Sequence, residues 1–341
     1  MEILIRSATL EDKDIILKFI EEHWNKNHVF VRYPELFDYY HVFGKEVRFC
    51  IAEDQTDKKL YGILGYIKSN NSSDISDLWG SMWKVIPSDY PSLGVAMMKH
   101  IRKTTKCRIF AGVGSNPETA IRIFKALRES TGKLDHYYRL ADKINYKIAN
   151  IKEKRIIEIS QEHNGELKLI ESKEEFIKKY FVNVNMKPFK DKDYILNRYY
   201  NHPVNKYKVY GISRDTIGYR SIVILREQHM GDSKVLRIID FIGEVEDLRG
   251  IGNYLQKKLE GNNFEYIDFY CKGINDDILK DMGFIKRMEN DTNIIPNYFE
   301  PFLQQNIEIH YNTNDDKDFY AFKGDADQDR PNILQKKGSD S

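Results

Sequence analysis

The chain has 341 residues, and 53 Lys plus Arg against 52 Asp plus Glu leave a formal net charge of +1. No global field draws a polyanion, so a genome-coating role is disfavoured, while 13% aromatic residues supply enough apolar bulk to exclude a wholly disordered chain. The length fits two domains of ordinary size better than one core. Cys50, Cys107 and Cys271 are far apart, with no CxxC spacing and no His/Cys cluster. That pattern excludes a disulfide framework and a structural zinc, and it points to a reducing cytoplasm. No window approaches the roughly 18 apolar residues of a membrane span, so neither a membrane nor nucleic acid is expected as a partner.

In chain order, EILIR (2–6) reads as a strand and 10–24 as a helix with Ile15, Ile16, Phe19, Ile20 and His23 at helical spacing, N-capped by Thr9. A helical stretch near 34–43, strands at 47–53 and 60–68, a polar loop at 69–76 and a strand at about 77–86 follow. Then come PSDYPSLG, a helix from 93 to 104, a strand at 107–113 and a helix at 116–128, and the stretch to Leu140 is expected to close the sheet. The second half repeats the order. Strand 165–170, helices 172–182 and 191–200, and strands 207–212, 217–226 and 235–243 lead into EVEDLRGIG and a helix; strand 264–270 and a short helix at 275–282 complete it. The charged stretch 145–163 is the natural join, which gives domains 1–150 and 151–332 and a disordered tail, 333–341.

A strand feeding a glycine-bearing loop and a helix offers unpaired amides at the positive end of the helix dipole, which suits a pyrophosphate. LRGIGNYLQKKL has that grammar: Gly250 and Gly252 allow close backbone approach, Ile251 lies between them, and Arg249 adds a cation. SLGVAMMKHIRK matches it at a constant offset with Gly94, Val95 and Ala96 but no Arg. A single such turn is more often a packing joint; two at matched places favour a ligand. AGVGSNPET is not a dinucleotide fingerprint, because Pro117 stands where the third glycine belongs; Asn116 instead caps the helix behind it.

The order strand, helix pair, hairpin, strand, glycine-marked loop, helix, strand, Asn-started helix resembles the GNAT superfamily of acyl-CoA-dependent N-acyltransferases, as two tandem copies over nearly the whole chain. The resemblance implies an α/β (α+β) fold, each copy with a mixed, mostly antiparallel central sheet flanked by helices. The family loop reads Gln/Arg-x-x-Gly-x-Gly/Ala; Gly250/Gly252 and Gly94/Ala96 fit it, while Asp247 and Pro91 hold its first position. Acetyl-CoA is the implied cofactor, held by Arg249, Gly250, Ile251 and Gly252 or by Gly94, Val95, Ala96 and Asn116. The family's oxyanion donor, a backbone amide on the strand before the loop, falls by register on Ile242 or Ile86. Its frequent terminal-helix Tyr falls on Phe124 or Leu279, which leaves that role vacant or filled from elsewhere. The segments TGKLDHYYRL, IIPNYFEPF and FYAFKGDADQDRPN look like the tandem GNAT proteins of bacterial surface-polysaccharide clusters, such as those for O-antigen or capsule. Those proteins acylate amino groups of nucleotide-linked deoxyamino sugars.

An amine attacks a thioester only when neutral, so a base must take its proton. On the face that carries the oxyanion donor, Asp240 is the candidate base in the second half, with Glu244 in reserve. The first half has Lys84, a poor base, at the matching place. His136 and Tyr137 are candidates for catalysis and for the substrate pocket, against a structural role for the histidine. Trp79 and Trp83, four apart on one strand, are expected on one face, stacking on a base or packing in the core. Asp325, Asp327 and Asp329 begin like a calcium loop but meet Arg330 where the turn glycine belongs. With Phe319–Lys323 as an edge strand, Lys323, Asp325, Asp327 and Arg330 become substrate contacts near the interdomain cleft. The expected function is acetyl transfer from acetyl-CoA to the amine of a nucleotide-linked sugar. The rivals are acyl or aminoacyl transfer to a peptide or cell-wall precursor, and a non-catalytic CoA-binding module. Asp240 and Arg249 favour the second copy as the working one, and the fuller terminal helix favours the first. A homodimer is compatible with this reading.

Overall fold

The computed structural model describes residues 2–70, 75–163, 165–180, 185–213 and 218–332; the expected tail lies outside them. The chain opens with β1 (Ile3–Ser7), and the Thr9 amide donates to Asp12 Oδ2 at 2.7 Å to start the turn into α1 (Lys13–His23). There follow α2 (Val29–Arg32), α3 (Pro34–His41), a small ribbon of β2 (Val42–Phe43) and β3 (Glu46–Val47), then β4 (Phe49–Asp54), β5 (Leu60–Lys68) and β6 (Ser76–Val85). The helix α4 (Leu93–Thr104) leads to β7 (Cys107–Val113), α5 (Ala120–Ala126), β8 (Ser130–Lys133) and β9 (Asp135–Leu140). The second half runs β10 (Glu166–Leu169), α6 (Lys173–Lys179), α7 (Lys192–Ile195), β11 (Tyr207–Ser213), β12 (Ser221–Met230) and β13 (Ser233–Ile242). It continues through α8 (Gly252–Gly261), β14 (Tyr266–Lys272), α9 (Asp276–Asp281), β15 (Ile285–Lys286), β16 (His310–Thr313) and β17 (Ala321–Phe322).

Two mixed sheets result, ordered β1-β4-β5-β6-β7-β16-β8 and β10-β11-β12-β13-β14-β9-β15. Their strand pairs are antiparallel except β6 with β7 and β13 with β14, which are parallel because a helix crosses over between them. Helices cover both faces of the first sheet. Phe19, Phe30 and Phe37 pack with Phe49 on one face, and Met97, Met98 and Ile101 of α4 pack with Leu64 and Phe110 on the other. The first of these clusters continues into Phe176, Tyr199 and Ile239 of the second half, so one apolar core runs through both.

The sheets do not part at residue 150. β9 pairs with β14 and β15 inside the second sheet, and β16 pairs with β7 and β8 inside the first. Each half therefore lends a strand to the other, and Leu140 closes the opposite sheet from the one expected. The residues explain the exchange. β9 (DHYYRL) is buried at five of its six positions, on both faces, and needs an interior place, whereas β8 (STGK) buries little and stays at the edge.

A second departure from simple alternation lies in β6. Leu64 of β5 pairs with Trp83 but Tyr66 pairs with Gly80, so Ser81 and Met82 bulge opposite Gly65. The extra residue turns Trp79 and Trp83 to opposite faces, which corrects the expectation that they share one. Trp79 is fully buried in the core shared with Phe319, while Trp83 lies against Phe124 with ring centroids 5.7 Å apart. β13 carries the matching bulge at Ile239, between the pairs Ile224–Asp240 and Leu225–Ile238.

Candidate functional site

β6 and β7 remain partners as far as Gly80 and Gly112, after which β6 runs on to Val85 and β7 ends. Where they part lies a cleft of about 510 Å³. Ser81, Trp83 and Lys84 of β6 form one wall, and Ser115, Asn116 and Phe124 form the other. The amide of Ile86 donates to Tyr61 O at 2.9 Å, toward β5. It is therefore not available to a ligand. Because successive strand amides point to opposite sides, those of Trp83 and Val85, at odd offsets from Ile86, face the gap that β7 has left. Trp83, not Ile86, offers the amide in the cleft wall.

Beyond β6, α4 starts with Leu93, Gly94, Val95 and Ala96. A Cβ at Gly94 would lie 3.0 Å from the Trp83 ring, so the first turn of α4 adjoins the cleft and depends on glycine there. Asn116 does not cap α5 as the sequence suggests: the helix begins at Ala120 with Thr119 at its N-cap, and Asn116 Oδ1 instead holds the turn before it, accepting from the amides of Glu118 and Thr119 at 2.9 and 3.1 Å. Phe124 occupies the place expected for a terminal-helix tyrosine and lines the cleft.

The second half contributes the remaining wall. Tyr298, Asn312, Asp327, Gln328 and Arg330 all line the same cleft. Asn312 Oδ1 accepts from Ser115 Oγ at 2.8 Å. Asp327 is ion-paired with Arg330, whose guanidinium lies over the Phe30 ring, 5.1 Å from its centre. Asp327 and Arg330 thus lie in the wall of a cleft that both halves line. The role of Asn312 left no local trace, since it follows from the exchange of β16. Tyr298 falls within IIPNYFEPF, which the sequence singles out without fixing a contact.

The corresponding opening in the second sheet is closed. β13 and β14 pair from Leu236–Ile267 to Ile238–Phe269, and β17 then fills the space where they would part. Phe322 stacks on Phe269 with centroids 5.6 Å apart, and the Gly324 amide donates to Ile239 O at 2.8 Å. Asp240 sits in this filled space with no solvent exposure, accepting from Lys190 Nζ at 2.7 Å and from the Tyr199 hydroxyl. Lys190 also pairs with Asp325 at 2.6 Å. Burial pushes the Asp325 carboxyl up to about 7. Asp240 is therefore a buried ion-pair partner and does not line the cleft. Asp325 is likewise held inside, away from the cleft that Asp327 reaches.

The second glycine turn is a packing joint. Gly250 O accepts from the Gly165 amide at 2.8 Å, Ile251 is fully buried, and a Cβ at Gly252 would lie 2.9 Å from Ile159 and 3.0 Å from the Met282 Cα. Arg249 is held by Glu246 at 2.7 Å and by Asp281. Ile242 pairs with Ile222 and packs beside Met186 and Tyr320. His136 and Tyr137 lie in β9, away from the cleft. His136 Nε2 is 3.2 Å from Asp268 Oδ2 and Nδ1 accepts from Arg287 Nε at 3.1 Å, with burial lowering its pKa to about 4. The Tyr137 hydroxyl donates to Asp276. Lys323 is buried with its Nζ 3.8 Å from Asp329, and burial pushes its ammonium down to about 7. Among the described residues no cluster of His, Cys, Asp or Glu is placed to hold a metal, and no helix is long and apolar enough to cross a membrane.

The fold has a counterpart among solved structures, although no protein-family model and no curated protein matches the sequence. The chain resembles the GCN5-related N-acetyltransferase from Anabaena variabilis with a TM-score of 0.51 at 11% identity, covering 92% of this chain and 72% of that one. A GCN5-related N-acetyltransferase from Sphaerobacter thermophilus aligns over 94% of this chain and 95% of its own, with a TM-score of 0.40 and 8% identity. The first likeness establishes the fold: the chain has the GNAT fold, here as two sheets that each carry a parallel pair followed by a helix.

Proposed function

We propose that the protein is an acyl-CoA-dependent N-acetyltransferase whose working site is the cleft of the first half, with the second half serving as its wall. The observation that carries this reading is the parting of β6 and β7 after Gly80 and Gly112, beside the start of α4, while the equivalent space in the second half is filled by β17. Acetyl-CoA would lie with its pyrophosphate at the first turn of α4 and its thioester carbonyl toward the Trp83 amide, which stabilises the developing oxyanion.

The amine must lose a proton before it attacks. Asp327 is the cleft-lining carboxylate able to receive it, directly or through water. The new C–N bond then forms as the C–S bond breaks, and the thiolate takes a proton. Phe124 cannot give one, and Tyr298 is the one phenol among the described cleft-lining residues. Its hydroxyl passes a proton to sulfur and is refilled from the attacking nitrogen. No protein nucleophile is needed: Cys50, Cys107 and Cys271 are outside the cleft, and burial raises the pKa of each.

For the acceptor we infer the amino group of a nucleotide-linked sugar of surface-polysaccharide synthesis. The support is that two of the three segments resembling such enzymes, 294–302 and 319–332, both reach this cleft through Tyr298, Asp327 and Arg330. Isothermal titration with acetyl-CoA, followed by thiol release over a panel of amino sugars and their nucleotide-linked forms, tests the reading. Binding with turnover supports it, and absence of binding removes it.

A further inference from the structure

Beside the cleft, between β12 and residues 323–332, lies a second cavity of about 30 Å³. Tyr298, Gln328 and Arg330 line both spaces, so the two adjoin. Its volume is that of one small group, since a water occupies about 30 Å³ in the liquid and needs only about half that as free space. We infer that this cavity is a subsite receiving one uncharged hydroxyl-bearing arm of the acceptor, read by the side-chain amide of Asn297. The inference rests on the proposed acyl transfer and narrows its acceptor.

Asn297 lines the cavity and is 2% exposed, yet among the described residues neither its Oδ1 nor its Nδ2 has a hydrogen-bond partner. Its main chain is fixed, because the carbonyl accepts from the buried Arg237 Nη1 at 2.7 Å. A buried amide without partners is unfavourable unless something arrives to meet it. A hydroxyl both donates and accepts, and so answers both of its free functions.

The charges nearby exclude an anionic occupant. Arg226 pairs with Asp329 at 2.6 Å, the Tyr207 hydroxyl donates to the same carboxylate at 2.8 Å, and Lys323 stands 3.8 Å from it. Arg330 is paired with Asp327. Burial disfavours the ammonium form of Lys323, which leaves little free positive charge for a phosphate or carboxylate. A site built to bond a hydroxyl also rejects the analogue that lacks one, because the amide is then left unpaired.

The test uses the full chain labelled with ¹⁵N. The Asn297 side-chain amide signals are assigned by their loss in Asn297→Leu, and the indole signals of Trp24 and Trp83 report the cleft. The protein saturated with coenzyme A is titrated with D-glucosamine and, separately, with cyclohexylamine, a ring amine without hydroxyls. The expected result is a shift of the Asn297 amide with D-glucosamine and none with cyclohexylamine, and D-glucosamine affinity at least tenfold weaker in Asn297→Leu. Movement of the indoles without the Asn297 amide, equal shifts with both amines, or no shift with D-glucosamine overturns the subsite. If coenzyme A itself leaves the Trp83 indole unmoved, the acyl-donor reading of the cleft fails, and the subsite falls with it.

Discussion

Lys190 and Asp325 meet at 2.6 Å inside the filled space of the second sheet, two residues before Asp327 enters the wall of the open cleft. The ion pair, shared with Asp240, thus anchors the segment that shapes the candidate site. Lys190→Met would leave two buried carboxylates without their cation, and removing one partner of a buried pair costs roughly 3–5 kcal/mol. We expect a lower urea midpoint and, in the folded fraction, a higher KM for the acceptor with an unaltered acetyl-CoA Kd. An unchanged midpoint would show that the pair does not hold the segment.

The same cluster predicts a pH dependence. The Asp325 carboxyl is raised from 3.8 to about 7 in the fold by burial, with Asp240 adding to it and Lys190 opposing. The folded state therefore holds this proton more tightly than the unfolded chain. The stability it brings is fully present below about pH 4 and is lost as pH rises through 7. Asp325→Asn, which cannot ionise, removes that contribution. Urea midpoints of wild type and variant between pH 4 and 8 should diverge, with the wild type falling relative to the variant as pH rises; parallel curves refute the assignment.

The two glycine turns should respond differently. At Gly94 a side chain meets the Trp83 indole, so Gly94→Val is expected to weaken acetyl-CoA at least tenfold in titration calorimetry. At Gly252 the obstacle is Ile159 and the Met282 backbone, so Gly252→Val should lower stability by about 1–3 kcal/mol, the usual cost of overpacking. Its folded fraction should bind acetyl-CoA as wild type does. The reverse pattern would move the site to the second half.

Asp327→Asn and Tyr298→Phe probe the chemistry. Each should lower kcat by roughly 10²–10⁴-fold, the usual contribution of a positioned acid or base, while acetyl-CoA affinity stays within twofold. Asp240→Asn, in contrast, should shift the unfolding midpoint before it shifts the pH–rate profile. Stopped assays across pH 6–9 distinguish these outcomes, and a wild-type rate for Asp327→Asn would exclude it as the base.

Much of the scaffold was legible in the residues. The strands at Leu60–Lys68 and Cys107–Val113 and the helix at Leu93–Thr104 lie where alternation and helical spacing put them. The site was harder to read, for three physical reasons. Alternation tells which faces of β9 are buried but not which sheet buries them, so the exchange of β9 and β16 left no mark. The Ser81–Met82 bulge inserts one residue into a regular pattern, which reversed Trp83 relative to Trp79 and moved the available amide off Ile86. Asp240 carries the right functional group at the right register, and only the third dimension reveals Lys190, Tyr199 and β17 around it. Phe319, Tyr320 and Phe322 demand burial and so pin the polar residues just beyond them in the chain, which is why the sequence points to Asp327 and Arg330.

The lent strands have a consequence for how the molecule comes apart. Cutting the polypeptide near residue 150 would strip β16 from the first sheet and β9 from the second, leaving raw hydrogen-bonding edges on β7 and β14. Neither fragment would be a miniature of the whole. The two could regain their form only by interlocking, and the intact chain should melt in a single cooperative step although it is built as a duplicate.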